Sequence, residues 1–270
     1  MNLLENTKIS RRTALTSLAG LVFGGLPVFG EESREKKENL EDYAGKSIKE
    51  YVTIASLDAL KTIGFQGGYF DSKGIDCYML DKKFIPVYFN ENSEENKIVI
   101  PSKEKIEESL SNQINKNLRD YLENLKDNGF NLNYSGPASR VWIRDNQVNF
   151  AINLPVVIRR QKEKEYVDKR IDLKNHTISH RFPLLESLEI ARYIVKSRDK
   201  DSDVICISEL TDMVRERDLH VGFYELNRPE NFNGELVQIT ESKKEGETAQ
   251  IYLQFLNKFR EKAPRKLPGF

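Results

Sequence analysis

The chain has 270 residues, of which 39% are hydrophobic and 31% are charged. This balance is typical of a soluble globular protein and excludes a membrane-embedded helical bundle and a disordered chain. Lys and Arg total 42, as do Asp and Glu, so the formal net charge is zero. Because the total charge does not steer the chain toward nucleic acid, we expect no nucleic-acid partner.

The first thirty residues have the pattern of an export signal. An apolar run at residues 14–29 follows three basic residues, Lys8, Arg11 and Arg12. The run is shorter than the roughly 20 apolar residues of a spanning helix, and its glycines and Pro27 weaken it further. We interpret residues 1–30 as an export signal cleaved before Glu31, with a membrane anchor through residues 14–29 as the alternative.

The export route also has a sequence signature. Residues 10–15 resemble a twin-arginine signal, the class that exports folded proteins, although Ala14 and Thr16 stand where that pattern prefers Phe and Lys. Contact with the export machinery through this segment would be transient.

Residues 31–46 are rich in charge and predict a solvated tether. We expect a single domain at residues 47–259 and a flexible tail at residues 260–270.

Two amphipathic helices are predicted in the first half of that domain. The first spans residues 47–64 and ends at Gly64, before a turn with the sequence Gln-Gly-Gly-Tyr. Strands at residues 84–89 and 98–100 follow, separated by a polar loop at residues 90–96. The second helix begins at Ser102, and one stripe of its apolar residues is predicted to face the core: Ile106, Leu110, Ile114, Leu118, Leu122 and Leu125.

The second half alternates runs of strands with runs of helices. An antiparallel meander is predicted from strands at residues 141–144, 148–160 and 165–173. Helices are expected at residues 183–197 and 208–217, and further strands at residues 220–226, 236–240 and 249–255. Without strict strand–helix–strand alternation, this order predicts an α+β fold in which amphipathic helices pack on antiparallel sheets.

No catalytic, cofactor-binding or metal-binding residues are predicted. The sequence contains neither phosphate-binding glycine loop, G-x-G-x-x-G or G-x-x-x-x-G-K-[ST], and no G-x-S-x-G elbow. His176 and His180 have a metal-ligand spacing only on a helix, whereas their neighbours indicate extended structure, so we expect two exposed histidines on or beside an edge strand. The adjacent carboxylates Glu107 and Glu108 are interpreted as solvated charges.

Two clusters have competing interpretations. Basic residues at 159–170 could contact an anionic polymer or lipid surface, but interleaved acidic residues favour a solvated hairpin tip. Aromatic residues at 69–89 could line a groove, although core packing is the simpler interpretation. Cys77 and Cys206 either pair as a disulfide in an oxidising compartment or remain free thiols.

The chain resembles a family of uncharacterised surface proteins from small-genome archaea of the DPANN type. The resemblance rests on the helix and Gln-Gly-Gly-Tyr turn at residues 51–69, on residues 85–89, on the helix opening at 100–102, and on the strands at 145–148 and 154–158. These segments cover most of residues 47–259, and the resemblance implies an outward-facing protein. Family members usually begin with an uncleaved anchor and commonly carry a cysteine near Tyr51, and this chain departs from both patterns.

These observations predict an extracytoplasmic protein, either on the cell surface or secreted. We expect a non-enzymatic interaction or structural module whose partner is an envelope or surface protein or polymer. The alternative is an exported enzyme that acts on an envelope polymer or peptide. A buried, close pair of carboxylates inside a cleft would favour that alternative.

Overall fold

The computed structural model describes residues 39–80, 83–94, 97–127, 130–162, 165–200, 205–226, 233–242 and 249–260. The predicted export signal and the last ten residues of the predicted tail lie outside these ranges. The chain divides into two units, Met1–Tyr43 and Ala44–Phe270. Of the first unit, only residues 39–43 are described, and they are helical.

The described residues contain four helices: α1 (Asn39–Phe65), α2 (Lys103–Asp127), α3 (Leu184–Lys200) and α4 (Ile207–Glu216). Helix α1 begins at Asn39 rather than at the predicted Ser47. Its early residues include Glu, Ala and Lys, which have high helix propensity, so residues 39–46 of the predicted tether extend the helix instead. Residues 31–38 of that tether lie outside the described ranges.

The same residues contain nine strands: β1 (Cys77–Leu80), β2 (Lys83–Asn90), β3 (Leu132–Tyr134), β4 (Ala138–Arg144), β5 (Gln147–Lys162), β6 (Glu165–Arg181), β7 (Leu219–Glu225), β8 (Gly234–Glu241) and β9 (Ile251–Lys258). They form two sheets, and the α+β class is confirmed.

The first sheet has the strand order β1-β2-β9-β8-β7. Strands β2 and β9 pair in parallel, while the other neighbours are antiparallel. The prediction of antiparallel sheets alone is therefore wrong for this sheet. Parallel neighbours need a long crossover, and here the whole second sheet lies between β2 and β9 in the sequence.

The second sheet is antiparallel, as predicted, and is built around the long strand β5. Strand β6 pairs along one edge of β5, while β4 and β3 pair with successive parts of the other edge. A bulge near Ile152 and Leu154 lets the β5–β6 pairing continue, so β6 reaches Arg181 rather than ending at residue 173. Ile98 forms only an isolated bridge with Phe89, in place of the predicted strand at residues 98–100.

The core includes the inward face of the second sheet and both faces of the first sheet, whose central strands β2 and β9 are buried at nearly every position. Alternate residues of β5 are buried along their length: Val148, Phe150, Ile152, Leu154, Val156 and Ile158. All six residues of the predicted α2 stripe are also buried, which confirms the orientation of that helix. Full burial of each such side chain stabilises the fold by about 1.5–3 kcal/mol.

The Gln-Gly-Gly-Tyr segment forms the predicted turn after α1. Gly67 and Gly68 have φ angles of 53° and 81°, which glycine adopts without a steric penalty. The buried Tyr88 hydroxyl donates to the Gly67 carbonyl oxygen at 2.7 Å and ties the turn to β2.

Among the described helices, none is both long enough and apolar enough to cross a membrane.

Candidate binding face

Strand β4 presents a basic and aromatic surface on the side away from the core. Val141 and Ile143 are buried, so the alternating residues Arg140, Trp142 and Arg144 point to the opposite face. Both arginines are exposed, and Trp142, the only tryptophan of the chain, is half-buried. An indole therefore lies between two guanidinium groups on one strand.

Strand β5 adds amide groups to the same face. In the β4–β5 register, Trp142 lies opposite Asn149 and Ala138 lies opposite Asn153. Directly opposed residues share a sheet face and are close enough for their side chains to interact. The Asn149 Oδ1 accepts a hydrogen bond from the Ser179 hydroxyl of β6 at 2.6 Å, which orients the amide near the indole.

Arg140, Trp142 and Arg144 line an open depression with a volume of about 570 Å³, and Asn149 lies on the same sheet face beside it. The depression is lined by Ala138, Ser139, Arg140, Trp142, Arg144, Ala151, Ile152 and Asn153. The small Ala138 and Ala151 side chains leave room beside the larger basic and aromatic ones. The depression is therefore a concave surface that combines cationic, aromatic and amide groups.

The electrostatics of this surface favour an anion. In the described part of the chain, neither Arg140 nor Arg144 forms an ion pair or side-chain hydrogen bond. No carboxylate is among the lining residues given above. Guanidinium groups bind carboxylate, sulfate and phosphate through paired N–H donors, so both arginines can accept a ligand without first breaking an internal contact.

Helix α2 holds strand β4 in place from its outer edge. The Ile143 backbone N–H donates to Glu107 Oε1 at 2.7 Å, and the Val141 N–H donates to the Ser111 hydroxyl at 3.2 Å. The Ser139 hydroxyl in turn donates to the Ser111 carbonyl oxygen at 2.9 Å. Edge-strand donors are thereby satisfied, which removes an aggregation-prone edge and gives the binding face a rigid support.

Glu107 was predicted to be a solvated charge, and that prediction is wrong. Its side chain is 21% exposed and accepts the backbone hydrogen bond from β4. Glu108, by contrast, is exposed and pairs with Lys105 at 3.3 Å, as expected of a surface charge. The sequence places both carboxylates on one helix but does not reveal which of them meets a strand edge.

The two histidines lie on edge strand β6, as predicted, but neither is fully exposed. His180 is opposite Val148 and faces the helices, where its Nε2 lies 2.7 Å from the Ser56 hydroxyl. The Ser56 hydroxyl also donates to the Thr53 carbonyl oxygen at 2.8 Å, so His180 is the donor in the first contact.

This histidine–serine pair is suited to packing rather than to nucleophilic catalysis. Ser56 is completely buried, and its only hydroxyl proton is committed to the helix backbone. Burial lowers the pKa of His180, which favours the neutral ring. Within the ranges that the structure describes, no three His, Cys, Asp or Glu residues are grouped to hold a metal ion.

The structure also describes parts of the aromatic stretch at residues 69–89 and of the basic cluster at residues 159–170. Phe84, Tyr88 and Phe89 are buried, which confirms core packing for that part of the aromatic stretch. The basic cluster lies on the β5–β6 hairpin as predicted; Arg159 and Arg170 are exposed, while the side chains between them lie outside the described set.

Both cysteines are free thiols, so of the two alternatives the disulfide is not formed. Burial raises the pKa of Cys77. Cys206 is exposed and directly precedes α4; hydrogen bonds to its sulfur from Ser208 and from the Glu209 backbone lower its pKa.

The arginine–tryptophan–arginine alternation is visible in the sequence but is not among the predicted sites. Residues 140–144 read Arg-Val-Trp-Ile-Arg, in which apolar and basic or aromatic positions alternate. That period predicts one buried and one open face on a strand. Only the structure shows that Asn149 and Asn153 extend the open face.

Comparison of the chain with protein-family models, with curated proteins and with solved structures finds no match.

Proposed function

We propose that this chain is an extracytoplasmic, envelope-associated interaction module that binds its partner at the Arg140–Trp142–Arg144 depression. The observation that supports it most directly is the arrangement of an indole between two exposed guanidinium groups that have no partner among the described residues. Aromatic and arginine side chains contribute most of the binding energy at many protein interfaces. Their concentration in a concave, solvent-accessible surface is the arrangement expected of a recognition site.

The N-terminal sequence supports the location. Basic residues directly before the apolar run at residues 14–29 are the pattern of an export signal, and the charged residues that follow suit an aqueous environment. The resemblance to archaeal surface proteins points the same way. Within this proposal, residues 1–30 direct export and the domain that follows faces the outside of the cell.

The location is tested by mass spectrometry of the protein isolated from its native cells. We expect a mature N-terminus close to Glu31 in the envelope or secreted fraction, or an intact anchor in the membrane fraction. An intact Met1 terminus recovered from the soluble cytoplasm would contradict the proposal.

The binding role is tested by sedimenting the purified full chain with isolated cell envelopes. Trp142→Ala should abolish most of the co-sedimentation. The matched control is Tyr224→Ala, which removes a 50% exposed aromatic side chain from β7 in the other sheet and should have no effect. Equal binding by the two variants would exclude the depression as the recognition surface.

A further inference from the structure

We infer that the depression recognises an acidic glycan, a polymer of sugars with carboxylate or sulfate groups. The inference rests on the proposed function, because it names the ligand class of the same surface. It follows from three features of the site: the charge of its arginines, their spacing along β4, and the pairing of an indole with amide groups.

The charge complementarity is local rather than global. The chain has no net charge, yet Arg140 and Arg144 line the depression together, and none of the described residues that line it is acidic. Two guanidinium groups that no described residue pairs with form a concentrated positive site on a protein whose total charge is balanced. A ligand that places anionic groups here gains charge-assisted hydrogen bonds, which are about twice as strong as neutral ones.

The spacing favours an elongated ligand. Arg140 and Arg144 are four residues apart on an extended strand, which separates their Cα atoms by roughly 13 Å. Trp142 lies midway between them on the same face. A chain of units with repeated anionic groups can contact both arginines and cross the indole, whereas one compact anion would leave the indole unused.

The indole and the amides suit sugar rings. The face of an aromatic ring is electron-rich, so it packs favourably against the weakly positive C–H groups of a pyranose. Asn149 and Asn153 can both donate and accept hydrogen bonds, as sugar hydroxyl groups require. Asn149 is directly opposite Trp142, so a ring stacked on the indole would have an amide at its edge.

The same features disfavour single-stranded nucleic acid. Proteins that bind it combine a basic groove with several aromatic side chains, on which successive bases stack. Among the described residues that line the depression, Trp142 is the single aromatic one. A single stacking platform with two flanking arginines matches a short glycan segment better than a run of bases.

The position of Trp142 provides a direct measurement. As the only tryptophan, it accounts for the tryptophan fluorescence of the full chain. We expect a saturable change in this fluorescence when polygalacturonate or dextran sulfate is added, and no change with uncharged dextran. The apparent affinity should fall as salt rises, because added ions screen exposed charges.

Variants then assign the effect to the arginines. Arg140→Ala and Arg144→Ala should each weaken binding roughly tenfold, since each removes charge-assisted hydrogen bonds. Arg140→Lys and Arg144→Lys should each bind more tightly than the corresponding Ala variant, because lysine keeps the positive charge but cannot donate two parallel hydrogen bonds. Arg119→Ala is the control: it removes an exposed arginine from α2, outside the depression, and should leave binding unchanged. Circular dichroism confirms that every variant is folded.

Three results would overturn the inference: an equal response to uncharged dextran, tighter binding of single-stranded oligothymidylate than of either acidic polymer, or no saturable response to any polymer. An equal loss in the Arg119→Ala control would also overturn it, because binding would then follow total charge. None of these results bears on the location of the mature N-terminus, so this inference can fail while the envelope assignment stands.

Discussion

Arg198 of α3 and Glu235 of β8 form a two-point ion pair inside the protein. The guanidinium Nε lies 3.0 Å from Oε1 and Nη2 lies 2.7 Å from Oε2. The side chains are only 13% and 10% exposed, and Asn257 donates a further hydrogen bond to Oε1 at 2.9 Å. The pair therefore ties helix α3 to the first sheet where little water can replace a lost partner.

Replacing Glu235 by Gln should destabilise the protein strongly. The substitution keeps the shape but removes the carboxylate charge from a largely buried two-point contact, and breaking such a pair costs about 3–5 kcal/mol. Urea titration should show this as a lower midpoint. The control is Asp212→Asn in the exposed pair with Arg215, whose side chains are 60% and 76% exposed, and its effect should stay within about 0.5 kcal/mol. If both variants lose a similar amount of unfolding free energy, burial does not strengthen the contribution of the Arg198–Glu235 pair to stability.

Gly68→Ala should destabilise the protein more than Gly74→Ala. Both residues have positive φ angles, 81° and 75°, so both substitutions incur the backbone cost of about 1–2 kcal/mol. A Cβ on Gly68 would also lie 2.6 Å from Pro101 Cγ, whereas one on Gly74 would have nothing within 4 Å. Overpacking should add about 1–3 kcal/mol at Gly68 alone. Equal melting temperatures for the two variants would contradict close packing of the turn on Pro101.

The orientation of α2 can be measured with two substitutions on opposite faces. Leu118 is completely buried, so Leu118→Ala should cost about 2–5 kcal/mol through lost burial and the cavity left behind. Lys116 is exposed, and Lys116→Ala should stay within about 0.5 kcal/mol. Denaturant titration of both variants compares the faces directly. If Leu118→Ala leaves the free energy of unfolding unchanged, the packing of this face of α2 in the core is contradicted.

Several features with a local sequence signal were predicted correctly, although some element ends were not, and the pairing of distant strands was not predicted. The α2 stripe follows from spacings of three and four residues, and the β5–β6 hairpin follows from two strands joined by a short turn. The parallel pairing of β2 with β9 brings Val87 opposite Leu256, and no short pattern encodes that partnership.

The candidate site, too, could be predicted from local sequence patterns only in part. The alternation at Arg140, Trp142 and Arg144 is visible in the sequence, but an alternating strand does not reveal which neighbours share its open face. Glu107 could not be identified as an edge partner of Ile143, because the two residues lie on different elements and meet only after α2 packs against β4.

The two cysteines should differ in reactivity. The thiolate is the reactive form, and the lowered pKa of exposed Cys206 increases its population, while burial of Cys77 raises its pKa and restricts access. Iodoacetamide at neutral pH should therefore label Cys206 first, as peptide mass spectrometry can show. Ser208→Ala should slow that labelling by removing a hydrogen bond that favours the thiolate. Faster labelling of Cys77 would contradict these environments.

Stability should fall in mild acid because of His180. Burial lowers the pKa of this ring below its ordinary value of 6.5, so the unfolded chain binds the proton more readily than the folded one. The contribution of the neutral ring is therefore complete above the unfolded pKa and is lost as pH falls from there through the lowered folded value.

His180→Gln provides the test. The Gln amide can still donate to the Ser56 hydroxyl, but it does not take up a proton in this range. The free energy of unfolding should fall between about pH 7.5 and about pH 5.5 by less in this variant than in the parent protein. His220→Gln, which makes the same substitution at an exposed position on β7, is the matched control. If His180→Gln keeps the full pH dependence, the acid sensitivity arises from other groups, and the buried contact between β6 and α1 does not control it.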